Sequence, residues 1–357
     1  MNESKQYDWM VCVKCMTFNH ALFIEDALNG FCMQETNFPY ICIIIDDCST
    51  DGEQDIIKQY VNEHFDYTNQ SLIKKEESED YKFICARNKS NPNCFFAVYY
   101  LKYNHYSLKK PKLTYYEKWI VHSKYVAICE GDDYWVNPLK LQKQVEFMNA
   151  HIDYSMCFTD VQNFYVKLNS LGDRQSLKYG AENEKLDKLT IDPFYSILQR
   201  KCRIQTLSVV YRSILNESHK REPIFMMGDT PMWLDLSQKG RIKFIDECTG
   251  VYRIHKGSAS RNSRTKILFR FSMYEMRVYY CIKYNKEIPY DIKRSYNTAL
   301  FNLIANGKDK DHAPLFELFP INTFQQALYL KVKKRIIPKF SLRIYTIVES
   351  LLKKIGV

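Results

Sequence analysis

The stretch Tyr40–Ile45 reads YICIII, six apolar residues in a row, and it stops at the paired acids Asp46 and Asp47. A run of that length suits a strand, and a strand apolar at every position must be covered on both faces. Val11–Thr17 reads as a second buried strand. A helix follows it over Leu22–Phe31, with Asn19–His20 at its start and Leu22, Phe23, Ala27 and Leu28 on one side. Another helix is expected near Glu53–His64. Lys124–Cys129 is a third apolar strand, ending in Glu130-Gly131-Asp132-Asp133, after which Asn137 suits the cap and Pro138 the first position of the helix KLQKQVEFM. Strand and helix in alternation, with uninterrupted apolar strands, predict an α/β fold in which helices cover both faces of a mainly parallel sheet.

The rest of the chain is less regular. Residues 68–115 are polar and aromatic with weak periodicity, and read as loops with at least one helix. Tyr154–Thr159, Thr206–Tyr211, Ile242–Ile245 and Gly250–Ile254 read as strands, and Asp229–Gln238 as a helix stopped by Gly240. From about Arg261 the pattern is amphipathic helix. The 357 residues, 46% hydrophobic and 26% charged, suffice for a sizeable core and argue against disorder. Cys12 and Cys15 form a C-x-x-C, but an odd spacing on a strand sends the side chains to opposite faces, and no second pair completes a zinc set. Buried free thiols are expected. The absence of G-x-G-x-x-G and G-x-x-x-x-G-K-[ST] removes the usual dinucleotide and P-loop signals.

Two acidic clusters, Asp46-Asp47 and Glu130/Asp132/Asp133, fall just past the ends of expected parallel strands, the edge at which open α/β sheets bind ligands. Bunched carboxylates repel one another unless water, a cation or a ligand's donors satisfy them. Magnesium-type sites use one or two carboxylates plus substrate phosphates. The clusters therefore point to a phosphate-bearing substrate bridged to Asp132 and Asp133 by Mn2+ or Mg2+. The plainer alternative is that such acids only cap turns, and Asp51 is read that way. Trp135 and Trp233 fit either a sugar-stacking surface or the core, and Asn104–Ser107 either a nucleotide contact or a loop.

In order along the chain, CVKCMTFNHALFIEDAL, ICIIIDDCSTDG, YVAICEGDDYWVNPLKLQKQV, RIQTLSVVYR and MGDTPMWLDLSQKGRIKFIDECTGVYRIHKGSAS resemble the segments of family 2 glycosyltransferases with the GT-A fold, across about residues 10–260. The resemblance implies a catalytic domain over 1–260, with 261–357 as a helical C-terminal region. It implies that Thr17, Phe18 and Asn19 cradle the nucleotide base and that Asp47, with Asp46 beside it, hydrogen-bonds that base, usually uracil. Glu130-Gly131-Asp132 stands where the family has D-x-D. Glu in first place leaves open whether Glu130 meets metal or ribose. Asp132, Asp133 and His255 match metal or diphosphate positions, and Asp229 the base of inverting members. His20 is read as helping to start its helix.

The chemistry agrees with such roles. A leaving nucleoside diphosphate gains from a cation, and one base near the acceptor hydroxyl suffices, whereas glycoside hydrolysis usually needs two flanking carboxyls. The implied enzyme (EC 2.4) is a hexosyl- or N-acetylhexosaminyl-transferase. It would take a nucleotide-sugar donor, a UDP-sugar by the family's habit, and a glycan or lipid-linked acceptor in bacterial surface polysaccharide or lipopolysaccharide synthesis. A nucleotidyltransferase would show a Gly- and Lys/Arg-rich loop after its first strand, where CMTFNHALF has neither. A non-catalytic nucleotide-sugar or glycan-binding protein has no need of Asp132, Asp133 and Asp229.

The formal charge of +10 is concentrated at one end: residues 331–357 carry eight basic residues against the single acid Glu349, or seven of the ten net charges. With Leu342, Tyr345, Val348, Leu351, Leu352 and Ile355 at helical spacing, this segment suits either an anionic membrane surface or docking on the catalytic domain. The main region lacks the basic stripe with interleaved aromatics that nucleic acid requires, so no nucleic-acid partner is expected. The polar opening residues and the absence of a long apolar run fit a cytoplasmic protein, held peripherally on the inner face of the cytoplasmic membrane.

Overall fold

The computed structural model describes residues 6–66, 73–188, 190–215, 225–255 and 265–306. In chain order the elements are β1 (Trp9–Thr17), α1 (Ile24–Cys32), β2 (Tyr40–Asp46), α2 (Glu53–His64), β3 (Lys74–Glu77), β4 (Tyr81–Arg87), β5 (Cys94–Leu101), α3 (Leu113–Val121), β6 (Ser123–Ile128), β7 (Tyr134–Trp135), α4 (Lys140–Ala150), β8 (Tyr154–Tyr165), β9 (Ser170–Arg174), α5 (Ser176–Lys185), α6 (Pro193–Leu198), β10 (Val209–Arg212), α7 (Asp229–Ser237), β11 (Arg241–Ile254), α8 (Lys266–Lys283) and α9 (Tyr290–Ala305). The chain divides into two compact units. One comprises Met1–Arg221 with Asp235–His255, the other Glu222–Leu234 with Lys256–Val357.

The first unit is built on one mixed sheet with the strand order β3-β4-β5-β2-β1-β6-β10-β8-β11-β7, and β9 pairs with β8. Its centre, β5-β2-β1-β6, is parallel throughout. β10 runs antiparallel between β6 and β8, and β8 runs parallel to β11. Every residue of β2 is buried, as its unbroken apolar run requires. Val11, Val13 and Cys15 of β1 and Cys42 and Ile44 of β2 face Ile24, Ala27, Leu28 and Phe31 of α1 and Ile57, Tyr60 and Val61 of α2. On the opposite face lies α3, where Lys14 sits 4.2 Å over the Tyr116 ring and the Trp119 indole N–H donates to Tyr99 Oη at 3.1 Å. The expected α/β architecture, a sheet flanked by helices, is what the chain forms, but the sheet is mixed rather than mainly parallel: six of its ten strand pairings are antiparallel, and the parallel run is confined to the centre and to β8 with β11. Cys12 and Cys15 lie on opposite sides of β1, and all twelve cysteines are free. Burial pushes the Cys12 thiol up to about 12, so it stays protonated.

Four local expectations are corrected. Residues 68–115 contain three strands besides α3. β5, CFFAVYYL, pairs parallel with β2 because its aromatic side chains fill the sheet's flank: Phe96 packs on Phe65 at 4.3 Å and on Phe31 at 6.4 Å. The outermost strand, β3, reads KKEE and is fully exposed, a charged edge that discourages further pairing. α4 begins at Lys140 rather than at Pro138, because the Asn137 side chain accepts from the Leu139 N–H and forms a turn ahead of the helix. Ile242–Ile245 and Gly250–Ile254 belong to one strand, β11, broken by bulges between Ile245 and Gly250. Thr206–Ser208 is a 3-10 turn, and the strand starts at Val209.

In the second unit, α8 and α9 pack together, with the Phe271 and Tyr296 rings 5.7 Å apart. These helices follow the amphipathic pattern seen after Arg261. The basic segment 331–357 lies outside the described residues. No helix among the described residues is long and apolar enough to cross a membrane.

Gly30 shows how closely α1 rides on the sheet. A Cβ there would come within 2.9 Å of the Trp135 backbone nitrogen and 3.0 Å of its carbonyl oxygen. Helix propensity alone favours Gly30→Ala by about 1 kcal/mol. Overpacking against rigid backbone costs ~1–3 kcal/mol. We expect Gly30→Ala to lower stability in urea denaturation, and a stabilised variant would refute this packing.

Candidate active site

Because β1, β2 and β6 run parallel, their C-terminal ends open on one edge of the sheet. The pairing extends past the strands. Asp47 N–H donates to Thr17 O at 3.0 Å, Cys129 N–H to Lys14 O at 3.0 Å, and Gly131 N–H to Met16 O at 3.1 Å. The two acidic turns are therefore anchored to β1. Gly131 is dictated by this approach: a Cβ on it would lie 2.1 Å from Thr17 Oγ1 and 2.6 Å from Thr17 Cβ. With no side chain at 131, the chain passes over Thr17 and delivers Asp132 beyond it.

Asp132 meets two imidazoles. His255, immediately after β11, places Nε2 at 2.9 Å from Asp132 Oδ2, and His20 Nε2 lies 3.9 Å from the same oxygen. One ligand atom from each of the three residues falls within 4.8 Å of the others. All three side chains are partly open, at 18% for His20, 19% for Asp132 and 12% for His255. Burial alone would raise the Asp132 carboxyl, but the His255 hydrogen bond and the nearby His20 outweigh it and hold the group below its ordinary value. Burial lowers the His20 imidazole against the pull of Asp132. The result is an ionised carboxylate between two imidazoles, a donor set that fits a divalent cation.

Asp133 is placed differently. Its side chain is 3% exposed and accepts from the Arg253 N–H at 2.8 Å. Burial, with Asp132 and Glu130 adding to it, pushes its carboxyl well above the usual range. Asp133 thus anchors β11 and stands apart from the Asp132–His255 pair. Arg253 completes the joint. Its guanidinium donates to Asp132 O at 3.0 Å, pairs with Asp26, and covers the Tyr134 ring at 4.3 Å. Glu130 accepts from the Thr206 hydroxyl at 2.8 Å.

The first acidic pair also divides. Asp47 is 2% exposed, and its carboxylate is taken up by the segment after β5: His105 N–H donates to Oδ1 at 2.7 Å, while Tyr106 N–H at 3.1 Å and Lys112 Nζ at 2.6 Å donate to Oδ2. Asn104 binds the Asp47 carbonyl at 2.9 Å, so Asn104–Ser107 serves as a clamp on this acid. Asp46 is fully buried. Its Oδ1 accepts from Ser49 N–H at 3.0 Å and Gln54 Nε2 at 2.6 Å, while Oδ2 has no protein partner. A buried carboxylate oxygen without a donor is costly.

Thr17 is buried, and its hydroxyl joins Glu53 and His20. Phe18 is 41% exposed at the edge. Asn19 takes a positive φ of 56°, which Asn tolerates, and its side chain accepts from the Thr50 N–H at 2.8 Å. Asp51 spans Ala21 N–H and Glu53 N–H in a turn. Trp135 belongs to the core, with its indole N–H on Leu207 O at 2.7 Å, and Trp233 is buried as well. Asp229 opens α7, in the second unit, and accepts from the Thr230 N–H at 2.6 Å.

Three participants carry no motif of their own: Glu53, Arg253 and the site-facing side of His20. An acid at the first position of the helix after Asp46-Asp47, and a histidine three residues beyond Thr17, are signals visible only once β1 and β2 are known to be neighbours.

Residues 12–90 match the family model described as glycosyl transferase family 2. The resemblance carried by the motifs is borne out over that stretch. It is 28% identical over 243 residues to an uncharacterized protein of Mycobacterium tuberculosis, covering 67% of this chain and 57% of that one, so the match spans little more than half of that relative. It is 25% identical over 258 residues to the putative teichuronic acid biosynthesis glycosyltransferase TuaG of Bacillus subtilis, covering 71% of this chain and 84% of the relative. Among solved structures, S. aureus TarS 1–349 in complex with UDP-GlcNAc is 16% identical with a TM-score of 0.49, over 86% of this chain and 77% of that one.

The division between Asp46 and Asp47 is testable. Asp47→Ala strands Lys112 and two backbone N–H groups, at about 3 kcal/mol for a broken, largely buried pair. Asp46→Ala forfeits two hydrogen bonds, about 1–3 kcal/mol. Chemical denaturation is expected to rank Asp47→Ala as the less stable.

Proposed function

We propose that the chain is an inverting, metal-dependent glycosyltransferase that moves a sugar from a nucleotide-diphosphate donor, a UDP-sugar, to a hydroxyl of a glycan or lipid-linked acceptor in bacterial surface polysaccharide synthesis. The observation that carries this reading is the Asp132–His255 pair at the edge where β1, β2 and β6 end, in a chain whose residues 12–90 match family 2. The teichuronic acid name of the Bacillus relative supports a surface-polymer role. The catalytic domain in this proposal is 1–260, with 261–357 appended.

The residues divide the work. Phe18 and Asn19 border the base, beside the acidic pair Asp46–Asp47. Glu130, held by Thr206, faces the ribose side, and Gly131 lets Asp132 reach the diphosphate. Asp132 and His255 hold Mn2+ or Mg2+. A cation bound there supplies positive charge against the charge developing on the leaving diphosphate. Asp229 takes the proton of the acceptor hydroxyl as it attacks the anomeric carbon from the face opposite the leaving group, which inverts that carbon.

Asp132→Asn is expected to abolish Mn2+-dependent binding of a uridine diphosphate sugar in calorimetry, and unchanged affinity would remove the metal assignment. Asp229→Asn should bind donor normally while turnover falls by a hundredfold or more, in line with the ~10²–10⁴ that general bases contribute. Retained turnover would strip Asp229 of its role.

The basic segment 331–357 is proposed to hold the enzyme on an anionic membrane surface, each cation near the surface contributing about 1 kcal/mol. Deleting it is expected to reduce co-sedimentation with vesicles rich in anionic lipid. A truncated chain that pellets as before would assign the anchor elsewhere.

A further inference from the structure

The metal-dependent reading uses Asp132 and His255 but leaves the ring of His20 unexplained. That ring is fixed from behind. Glu53, buried at the start of α2, accepts on Oε2 from His20 N–H at 2.9 Å and from the Ser49 hydroxyl at 2.8 Å, and on Oε1 from the Thr17 hydroxyl. A threonine has a single O–H. With that proton given to Glu53, the Thr17 oxygen is an acceptor toward His20 Nδ1, which lies 3.2 Å away. His20 Nδ1 therefore carries the hydrogen, and Nε2 presents its lone pair. That lone pair looks toward the Asp132 carboxylate, an acceptor, at 3.9 Å. A nitrogen lone pair and a carboxylate oxygen that face one gap are two donor atoms that a cation can share. A histidine whose far nitrogen is pinned through a hydroxyl to a carboxylate has the outer support typical of metal-bound imidazoles.

We propose that His20 is a third protein ligand of the cation at this site, oriented by the Glu53–Thr17 pair, and that the resulting set of two imidazoles and one carboxylate selects a first-row transition ion such as Mn2+ over Mg2+. Mg2+ prefers oxygen ligands and keeps its waters, whereas imidazole nitrogen favours transition ions. His20, Asp132 and His255 come from the ends of β1, β6 and β11, so the cation also ties together three strand ends of the first unit. The inference rests on the metal-dependent reading above, and its test separates the two.

Mn2+ alone is titrated into the full chain without nucleotide, and bound ion is followed by electron paramagnetic resonance, with pulsed measurement counting coupled histidine nitrogens. The expected result is two coupled imidazoles in the unsubstituted protein and one in His20→Ala. His20→Ala should also bind Mn2+ at least tenfold more weakly and release it to a smaller excess of Mg2+. Thr17→Val should weaken binding while Thr17→Ser restores it. One coupled imidazole in the unsubstituted protein, or unchanged affinity in His20→Ala when Asp132→Asn and His255→Ala lose the ion, overturns the role of His20 and leaves the metal reading standing. Mn2+ binding indifferent to all three residues overturns both. The nitrogen count needs no variant, so it decides the role of His20 even if His20→Ala misfolds.

Discussion

Everything at the candidate site hangs from the backbone of β1. Its two parallel neighbours, β2 and β6, do not stop pairing where regular strand geometry ends; Asp47 and Gly131 each donate one more N–H to a β1 carbonyl. Those extra bonds fix where both acidic turns leave the sheet. The approach is so close that only glycine fits at 131, with Thr17 directly beneath it. A side chain there would push the E-G-D-D turn away from β1 and take Asp132 with it. The site depends first on a steric fact about two chain segments and only then on the charges they carry.

Around that frame the acids separate into two kinds. Asp47 and Asp133 are buried and occupied by backbone N–H groups of other segments, 103–112 and β11 respectively. They organise loops. Asp132 is partly open between two imidazoles, and Asp46 keeps one oxygen without a protein partner. Of these four carboxylates Asp132 is the one open toward solvent, whereas Asp46 is sealed in at the end of β2.

The central sheet was legible because β1, β2 and β6 are dominated by apolar residues, and β2 and β6 end abruptly in acids. The block at 68–115 was misread: β5, CFFAVYYL, is as continuous an apolar run as β2, but it is rich in aromatics and sits among polar residues, while β4 alternates only weakly. β3 is four charged residues that pair only because β4 is already there. At the site, the motif positions of Asp132 and His255 could be read directly, and the structure brings them together from residues far apart in the chain. What each acid of a pair does could not be read. Asp46 and Asp47 are chemically identical, and their difference lies wholly in which distant donors reach them. The same holds for His20, whose surroundings arise from α2, thirty residues on.

β11 has a further consequence. After Ile245 the strand holds more residues than its partner β8: Cys248 pairs with Asp160 and Gly250 with Val161, where an unbroken ladder would use fewer. The slack has an odd count, so it sets the phase of everything downstream. Arg253 and His255 look toward the edge because of it. Loss of a single residue between Asp246 and Thr249 would leave the strand's composition almost intact and yet exchange its two faces, turning Arg253 and His255 away from the edge and drawing Tyr252 off the core. The irregular stretch is the strand's timing mark, and its length constrains the chain more tightly than the identity of the residues within it.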